Sequence, residues 1–414
     1  MQIANIRIES TDARKRAVGT VTWEDCDRPS RDVYFETTEE FGEYLSIDTD
    51  AFVTAAILAA CAHGERRLLV EGEICPVLRD GLVTAMSLVS HWYHLGWEPV
   101  VLEGKTRSTG RPRSSEQRAA VFFLGDIDSL ATLRSNRLDY PPQHPATVRD
   151  GFLVYGLEDQ PPAFEHLLAS LSAFARATDI TLIPVHTNLR SLDDGWEFWS
   201  DLSVAAGFSS IAHAFKRRIG RASIAAGYDI PNLYPHASHP LLDPNYGSYD
   251  VAIRHDGVAR SRLAKTRLVA EWDVALAALR VCDRSEDYPP GYLNCGRCEK
   301  CLRTLLALLA LGALERAITF PGIDLSEEIV MTTIRLHRRN IHFYRELIAP
   351  LQEIGRNDLA RCIQRKLDRY HAAGWVRPFA SFGRHGVNSS LRTIRQLLHH
   401  DRGSGPGCAP RRET

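Results

Sequence analysis

Residues 119–133 read AAVFFLGDIDSLATL. Ala119 to Leu124 form an unbroken apolar run, too short for a buried helix and too continuous for a strand with one wet face. It fits a strand covered on both sides. Gly125 and Asp126 then turn the chain, and the helix expected from Ser129 opens among carboxylate and hydroxyl side chains of the capping kind. The pattern recurs downstream. FLVYGLE (152–158) reads as a second strand, PAFEHLLASLSAFARA (162–177) as an amphipathic covering helix, and TLIPVHTN (181–188) as a third strand. Strands alternating with helices place this region in the α/β class, with a parallel sheet and covering helices. Ligands of such sheets lie beyond the carboxyl ends of the strands. The first of these ends is Leu124-Gly125-Asp126-Ile127-Asp128-Ser129, where backbone N–H groups and a helix N-terminus face an incoming anion. There Ser129 caps the helix or donates to a phosphate oxygen, and Asp128 holds Mg2+ or orients a ligand.

Working outward, Met1 to about Thr37 alternates in three short runs (IANIRIES, AVGTVTWE, DVYFET), as strands do. A helix from Thr49 to Cys61, the strand RLLVEG, a helix from Val77 to Tyr93 and the strand EPVVLEG complete an α+β accessory domain over residues 1–104. Glu71, Glu73 and His91 stand out there by residue type alone. Residues 105–118, containing KTRSTGRPRSSEQ, are basic and Ser/Gly/Pro-rich, which suits a linker or a loop that orders on a phosphate. After the third strand, a helical region from about Trp196 to Ala226 and a helix from Arg260 to Leu279 finish an α/β domain spanning 119–281. A cysteine-rich module with an apolar helix follows over 282–316, then helices at Ser326–Ile354 and Asn357–Ala373 in a helical region to 400. The tail, 401–414, has the composition of disorder.

Four cysteines crowd the segment CDRSEDYPPGYLNCGRCEKC: Cys282, Cys295, Cys298 and Cys301. The two-residue spacings let successive thiolates turn inward around one ion, and Gly296 frees the turn between two of them. Four soft sulfurs suit a closed structural Zn2+ site. An iron–sulfur cluster is a second reading, although the C-x3-C-P that completes the ferredoxin pattern is missing. Buried free thiols are a third.

The 414 residues allow two or three domains. With 44% apolar and 24% charged residues and a net charge of −1, nothing global draws the chain to nucleic acid or to a membrane surface. The start has no apolar signal-peptide core, and the most apolar runs, Ala51–Ala62 and Leu305–Leu314, are too short to span a bilayer. The remaining cysteines, Cys26, Cys61, Cys75, Cys362 and Cys408, are scattered, which points to a cytoplasmic protein without a disulfide framework.

VFFLGDIDSLATL resembles the pyrophosphate-binding S-G-G-x-D-S loop of the PP-loop (N-type ATP pyrophosphatase) superfamily. Cys282, Cys295, Gly296, Cys298 and Cys301 are similar to the zinc site of that superfamily's cyano-deazaguanine synthases of the queuosine pathway, and LAKTRLVAEW resembles their T-K-x-E-I helix. The resemblance covers about Ala119 to Arg316. It implies a HUP-like sheet, structural zinc, and ATP with Mg2+. Gly125, Asp126, Asp128 and Ser129 would then meet the phosphates, and Lys265, helped by Arg262 or Arg267, the departing pyrophosphate. Tyr155 and Glu158 would occupy the region where the superfamily reads adenine or ribose.

Two positions depart from the motif: Leu124 replaces its Ser, and Asp126 replaces its second Gly. The first removes a hydroxyl. The second sets a negative charge where phosphate should approach, a repulsion of roughly 1–4 kcal/mol at about 4 Å unless Mg2+ bridges the two. The functional expectation is an ATP-dependent, AMP-forming ligase or amidotransferase-like enzyme acting on a small-molecule carboxylate or amide. The alternative is a non-catalytic binding or scaffold protein on the same fold. A zinc-ribbon nucleic-acid binder is disfavoured by neutral charge and by cysteine spacings too tight to frame a recognition helix. Neither a membrane nor nucleic acid is expected as a partner, and a homodimer is compatible with this reading. His186, His236 and His239, with Thr187, Asn188 and Arg190, are further candidates near the expected cleft edge.

Overall fold

The computed structural model describes residues 1–375 apart from 12, 109–116, 158–160, 283, 285 and 286. Its strands are β1 (Gln2–Thr11), β2 (Arg14–Thr22), β3 (Arg31–Thr38), β4 (Arg67–Ile74), β5 (Val101–Thr106), β6 (Arg118–Phe122), β7 (Val148–Tyr155), β8 (Thr181–Thr187), β9 (Ile219–Ala225) and β10 (Ala252–Asp256). They form one ten-stranded, mostly parallel sheet in the order β10-β9-β6-β7-β8-β3-β2-β1-β4-β5. The helices are α1 (Glu39–Gly42), α2 (Thr49–Ala62), α3 (Pro76–Tyr93), α4 (Ile127–Asp139), α5 (Pro161–Ala177), α6 (Val204–Ala214), α7 (Arg262–Ala270) and α8 (Asp273–Leu276). Then come α9 (Glu299–Ala310), α10 (Glu327–Thr333), α11 (Ile341–Arg345), α12 (Ile348–Glu353) and α13 (Asn357–Trp375).

The run at 119–123 is apolar throughout because both of its faces are buried. Ala120 and Phe122 pack with Phe152, Ile183, Phe215 and α2 on one side of the sheet. Ala119, Val121 and Phe123 pack with Leu133, Leu171, Val269 and the cysteine module on the other. β6 lies between β7 and β9, parallel to both. In chain order the sheet moves outward from β6 through β7 to β8, then returns to the far side of β6 with β9 and β10. Strand order therefore reverses between β6 and β9, and that gap is where open α/β sheets form their ligand crevice.

The N-terminal strands continue the same sheet. β3 joins β8 antiparallel, with Phe35 opposite Thr187, and Thr187 Oγ1 donates to Tyr34 O at 2.7 Å. Asn188 adds a second tie, accepting from Tyr34 N and donating to Asp32 O. Both residues, ligand candidates by sequence, hold the two halves of the sheet together.

Several expected elements differ. The helical region from Trp196 to Ala226 contains a π-helix (Phe198–Ser203) and α6, then ends in β9. The small residues of RASIA suit a helix locally, but backbone pairing to β6 and β10 on both sides makes them a strand. Strand β10 had no clear signal in AIRHD. The helix from Arg260 to Leu279 breaks at Trp272, whose extended backbone separates α7 from α8. The helix from Ser326 to Ile354 is three short ones, α10 to α12. Lys105 and Thr106 belong to β5 rather than to a connector, whose residues 109–116 lie outside the described residues, as does the tail at 401–414. Among the described residues no helix is long and apolar enough to cross a membrane.

Candidate functional site

The crevice between β6 and β9 is built from α4 and α7. Gly125 follows β6 with φ +71, and a Cβ there would meet Leu171 Cδ2 at 2.9 Å and Ala278 O at 3.2 Å, so glycine is required. Asp126 is the N-cap of α4. Its Oδ1 accepts from Ser129 N at 2.8 Å and from Ser129 Oγ at 2.6 Å. The carboxylate thus already sits at the positive end of α4, the place a phosphate would take.

Two residues further on, Asp128 meets α7. Ser261 caps that helix, its Oγ accepting from Ala264 N. Arg262 and Lys265, three residues apart, fall on one face of it. Arg262 Nη1 lies 2.8 Å from Asp128 Oδ2, and Lys265 Nζ 3.2 Å from Asp128 Oδ1. Lys265 also donates to Ala226 O, just beyond β9. Lys265, Asp128 and Ser129 are all buried. The structure therefore brings Gly125, Asp126, Asp128, Ser129, Arg262 and Lys265 together at the switch point, every charged group among them bound to another part of the chain.

The C-terminal helices roof this crevice, which sequence reading missed. Phe343 of α11 is buried, with the Arg303 guanidinium 4.5 Å and that of Arg262 5.2 Å from its ring centre. The Tyr228 ring stacks on it at 5.6 Å and 18°. Tyr344 Oη and Asn340 Nδ2 both donate to Glu299 Oε1 of α9. Glu346 accepts from Leu263 N at the start of α7. Beside Arg262, Thr266, Arg303 and Phe343 only a narrow gap remains, with room for about one water. Burial, then the neighbouring charge of Arg262, lowers the pKa of Arg303. Burial brings His342 down to about 4 and raises Glu346. A lone arginine inside the apolar run LRTLLALLA was the signal available in the sequence.

The remaining candidates lie elsewhere. Tyr155 packs against Phe164 and His186 at 5.4 and 5.3 Å, and burial lowers the pKa of His186. Glu158 lies outside the described residues. Arg190 stands over Trp196. His239 donates through its backbone to Asp243, which also holds Ser238 and His255. Burial lowers both His236 and His239.

The four cysteines converge beside α9. Their sulfurs lie within 4.8 Å of one another, with Cys282–Cys295 at 3.4 Å, Cys282–Cys298 at 3.6 Å and Cys295–Cys301 at 3.8 Å. Zn–S bonds of about 2.3 Å in a tetrahedron put the sulfurs about 3.8 Å apart, so the set is sized for one ion. A cubane cluster, with its own iron and sulfide atoms between the ligands, needs a wider frame. Cys298 is also the N-cap of α9, its Sγ accepting from Cys301 N. Gly296, at φ +73, turns the chain between two ligands, and a Cβ there would strike Ile323 and Pro321. Hydrogen bonds from Cys298 and Cys301 hold Cys282 far below the ordinary thiol range.

Comparison with protein families, curated proteins and solved structures returns no match.

A second acidic group, Asp48, Asp50 and Asp250, also brings carboxylate oxygens within 4.8 Å. Cations of the chain already lie among them. Arg107 reaches Asp250 at 2.8 Å and Asp50 at 3.3 Å, while Lys216 pairs with Asp48 and lies 3.2 Å from Asp250. Lys216 precedes β9 and Asp250 precedes β10, so this network ties the amino edge of the sheet, opposite the crevice. Burial raises Asp50 to about 6.

Proposed function

We propose that this chain is a PP-loop-type protein with a HUP-like sheet, which carries one structural zinc ion and, with its altered nucleotide crevice closed by its own side chains, serves as a non-catalytic scaffold rather than as an ATP-driven ligase. The Asp126 carboxylate supports this most strongly: it takes the N–H and hydroxyl of Ser129 that a phosphate would need. The burial of Phe343 over Arg262 and Arg303 supports it from the other side of the crevice. The strand order supports the HUP-like reading. Zinc, held by Cys282, Cys295, Cys298 and Cys301, would cross-link the chain at the start of α9 and supply folding energy, not chemistry.

The second reading keeps the activity: an AMP-forming ligase acting on a small-molecule carboxylate or amide. One observation favours it, the convergence of Lys265 and Arg262 on Asp128. There Mg2+ would reverse the repulsion between Asp126 and a phosphate, and Lys265 would leave Asp128 to stabilise departing pyrophosphate.

Calorimetric titration of the wild-type protein with ATP–Mg2+, with an assay for released pyrophosphate, separates the two. The scaffold reading expects no heat of binding and no pyrophosphate. Saturable binding with pyrophosphate release on adding a carboxylate substrate would establish the ligase.

A further inference from the structure

The cysteine cluster and the loop at Gly125 are joined by a short run of backbone. Arg280 N donates to Gly125 O at 2.8 Å, two residues before Cys282. Ala278 O sets the space that Gly125 fills. Asn294, the residue before Cys295, is fully buried and fixes this run. Its Oδ1 accepts from Val281 N at 2.8 Å and Cys282 N at 3.2 Å. Its Nδ2 donates to Leu279 O at 2.9 Å and to Thr319 O and Oγ1, both at 3.3 Å. One amide thus holds the chain on both sides of Arg280 and anchors it to the segment after α9.

We propose that Asn294 is a positioning residue that couples the cysteine cluster to the Gly125–Ser129 loop, so that the state of the cluster is felt at the crevice. This rests on the metal-site reading above, and the connection is structural. With the four sulfurs drawn together, Cys282 and Cys295 fix both ends of the Asn294 clasp, Arg280 N stays aimed at Gly125 O, and Asp126 keeps its place over Ser129. When the sulfurs separate, the clasp loosens, and the loop loses the donor that holds its carbonyl.

Amide hydrogen exchange resolved to short peptides tests this, comparing zinc-loaded protein, chelator-treated protein, and an Asn294→Ala variant kept in excess zinc. Losing one anchoring hydrogen bond corresponds to roughly ten-fold faster local exchange. The expectation is an increase of that order across 125–130 and at Arg280, both on chelation and in Asn294→Ala, with β4 unchanged in each. Exchange across 125–130 that stays at its loaded rate while 282–302 speeds up on chelation would overturn the coupling. Should the wild-type protein take up no metal at all, the metal-site reading fails separately. Asn294→Ala alone then decides: an unchanged rate at 125–130 sinks the positioning role, and a ten-fold rise sustains it.

Discussion

Asp126 turns its carboxylate back onto Ser129, accepting from that residue's backbone N–H at 2.8 Å and from its hydroxyl at 2.6 Å. A turn that in a phosphate-binding loop stays open for an external anion is here completed by the chain itself. Asp126 therefore stabilises α4 as a cap. Replacing it with Ala should lower stability by about 1 kcal/mol, whereas Asp126→Gly should cost only a few tenths. Urea denaturation of the two variants checks this; equal losses would mean that the carboxylate is not serving as a cap.

Asp128 carries a heavier burden. It neutralises Lys265 and Arg262 in a buried place, so Asp128→Ala should destabilise the protein by about 3–5 kcal/mol by leaving two cations without their partner. Adding Lys265→Met to that variant should restore part of the loss, because one uncompensated charge is then gone. A double variant no more stable than Asp128→Ala would show that the pair is not coupled.

The cysteine cluster predicts about one zinc per chain by metal analysis and a colourless protein. Cys298→Ser should unfold the region around α9, since that residue both ligates and caps the helix. A brown protein with broad visible absorption would replace zinc with iron and sulfide.

Acid sensitivity follows from groups pulling in opposite directions. His213, fully buried and brought down to about 4, and His342, also about 4, are neutral in the fold but charge in the unfolded chain below its ordinary 6.5. The unfolded state then binds more protons, so their contribution, complete above pH 6.5, is lost as the pH falls towards 4. Asp50 acts in the reverse sense. Raised from 3.8 to about 6 by burial, it holds a proton that the unfolded chain has lost, so its contribution is present below 3.8 and fades as the pH rises to 6. Asp50→Asn should therefore steepen the loss of stability between pH 6 and 4. Chemical denaturation at each pH reads the slope, and a variant whose slope is unchanged or shallower would contradict the assignment.

How far the sequence revealed this structure depended on whether a residue's partners were near in the chain. The run at 119–123 was readable because burial on both faces left no polar position to blur it. The cysteines were readable because a shared ion demands close spacing, and Asp128 and Lys265 because a recognisable turn and helix carry them. Strand β9 was not: Ala and Ser form helices as readily as strands, and only the neighbours β6 and β10, far off in sequence, decide between the two. Arg303, Phe343 and Asn294 were hidden for the same reason. Phe343 meets its arginines across 81 and 40 residues of chain, and a lone Asn beside a cysteine carries no periodic signal. Asp126 was seen as an obstacle to phosphate, but only the structure shows that it occupies the helix end itself.

The carboxylate of Asp126 fills the end of α4 that an external anion would take. Calorimetric titration of Leu124→Ser/Asp126→Gly with ATP–Mg2+, beside the wild type, reads whether emptying that place admits a phosphate. Emptying the helix end and restoring the hydroxyl should raise affinity by about five-fold or more, since roughly 1–4 kcal/mol of repulsion is relieved. Identical affinities for the two proteins, or tighter binding by the wild type, would contradict it.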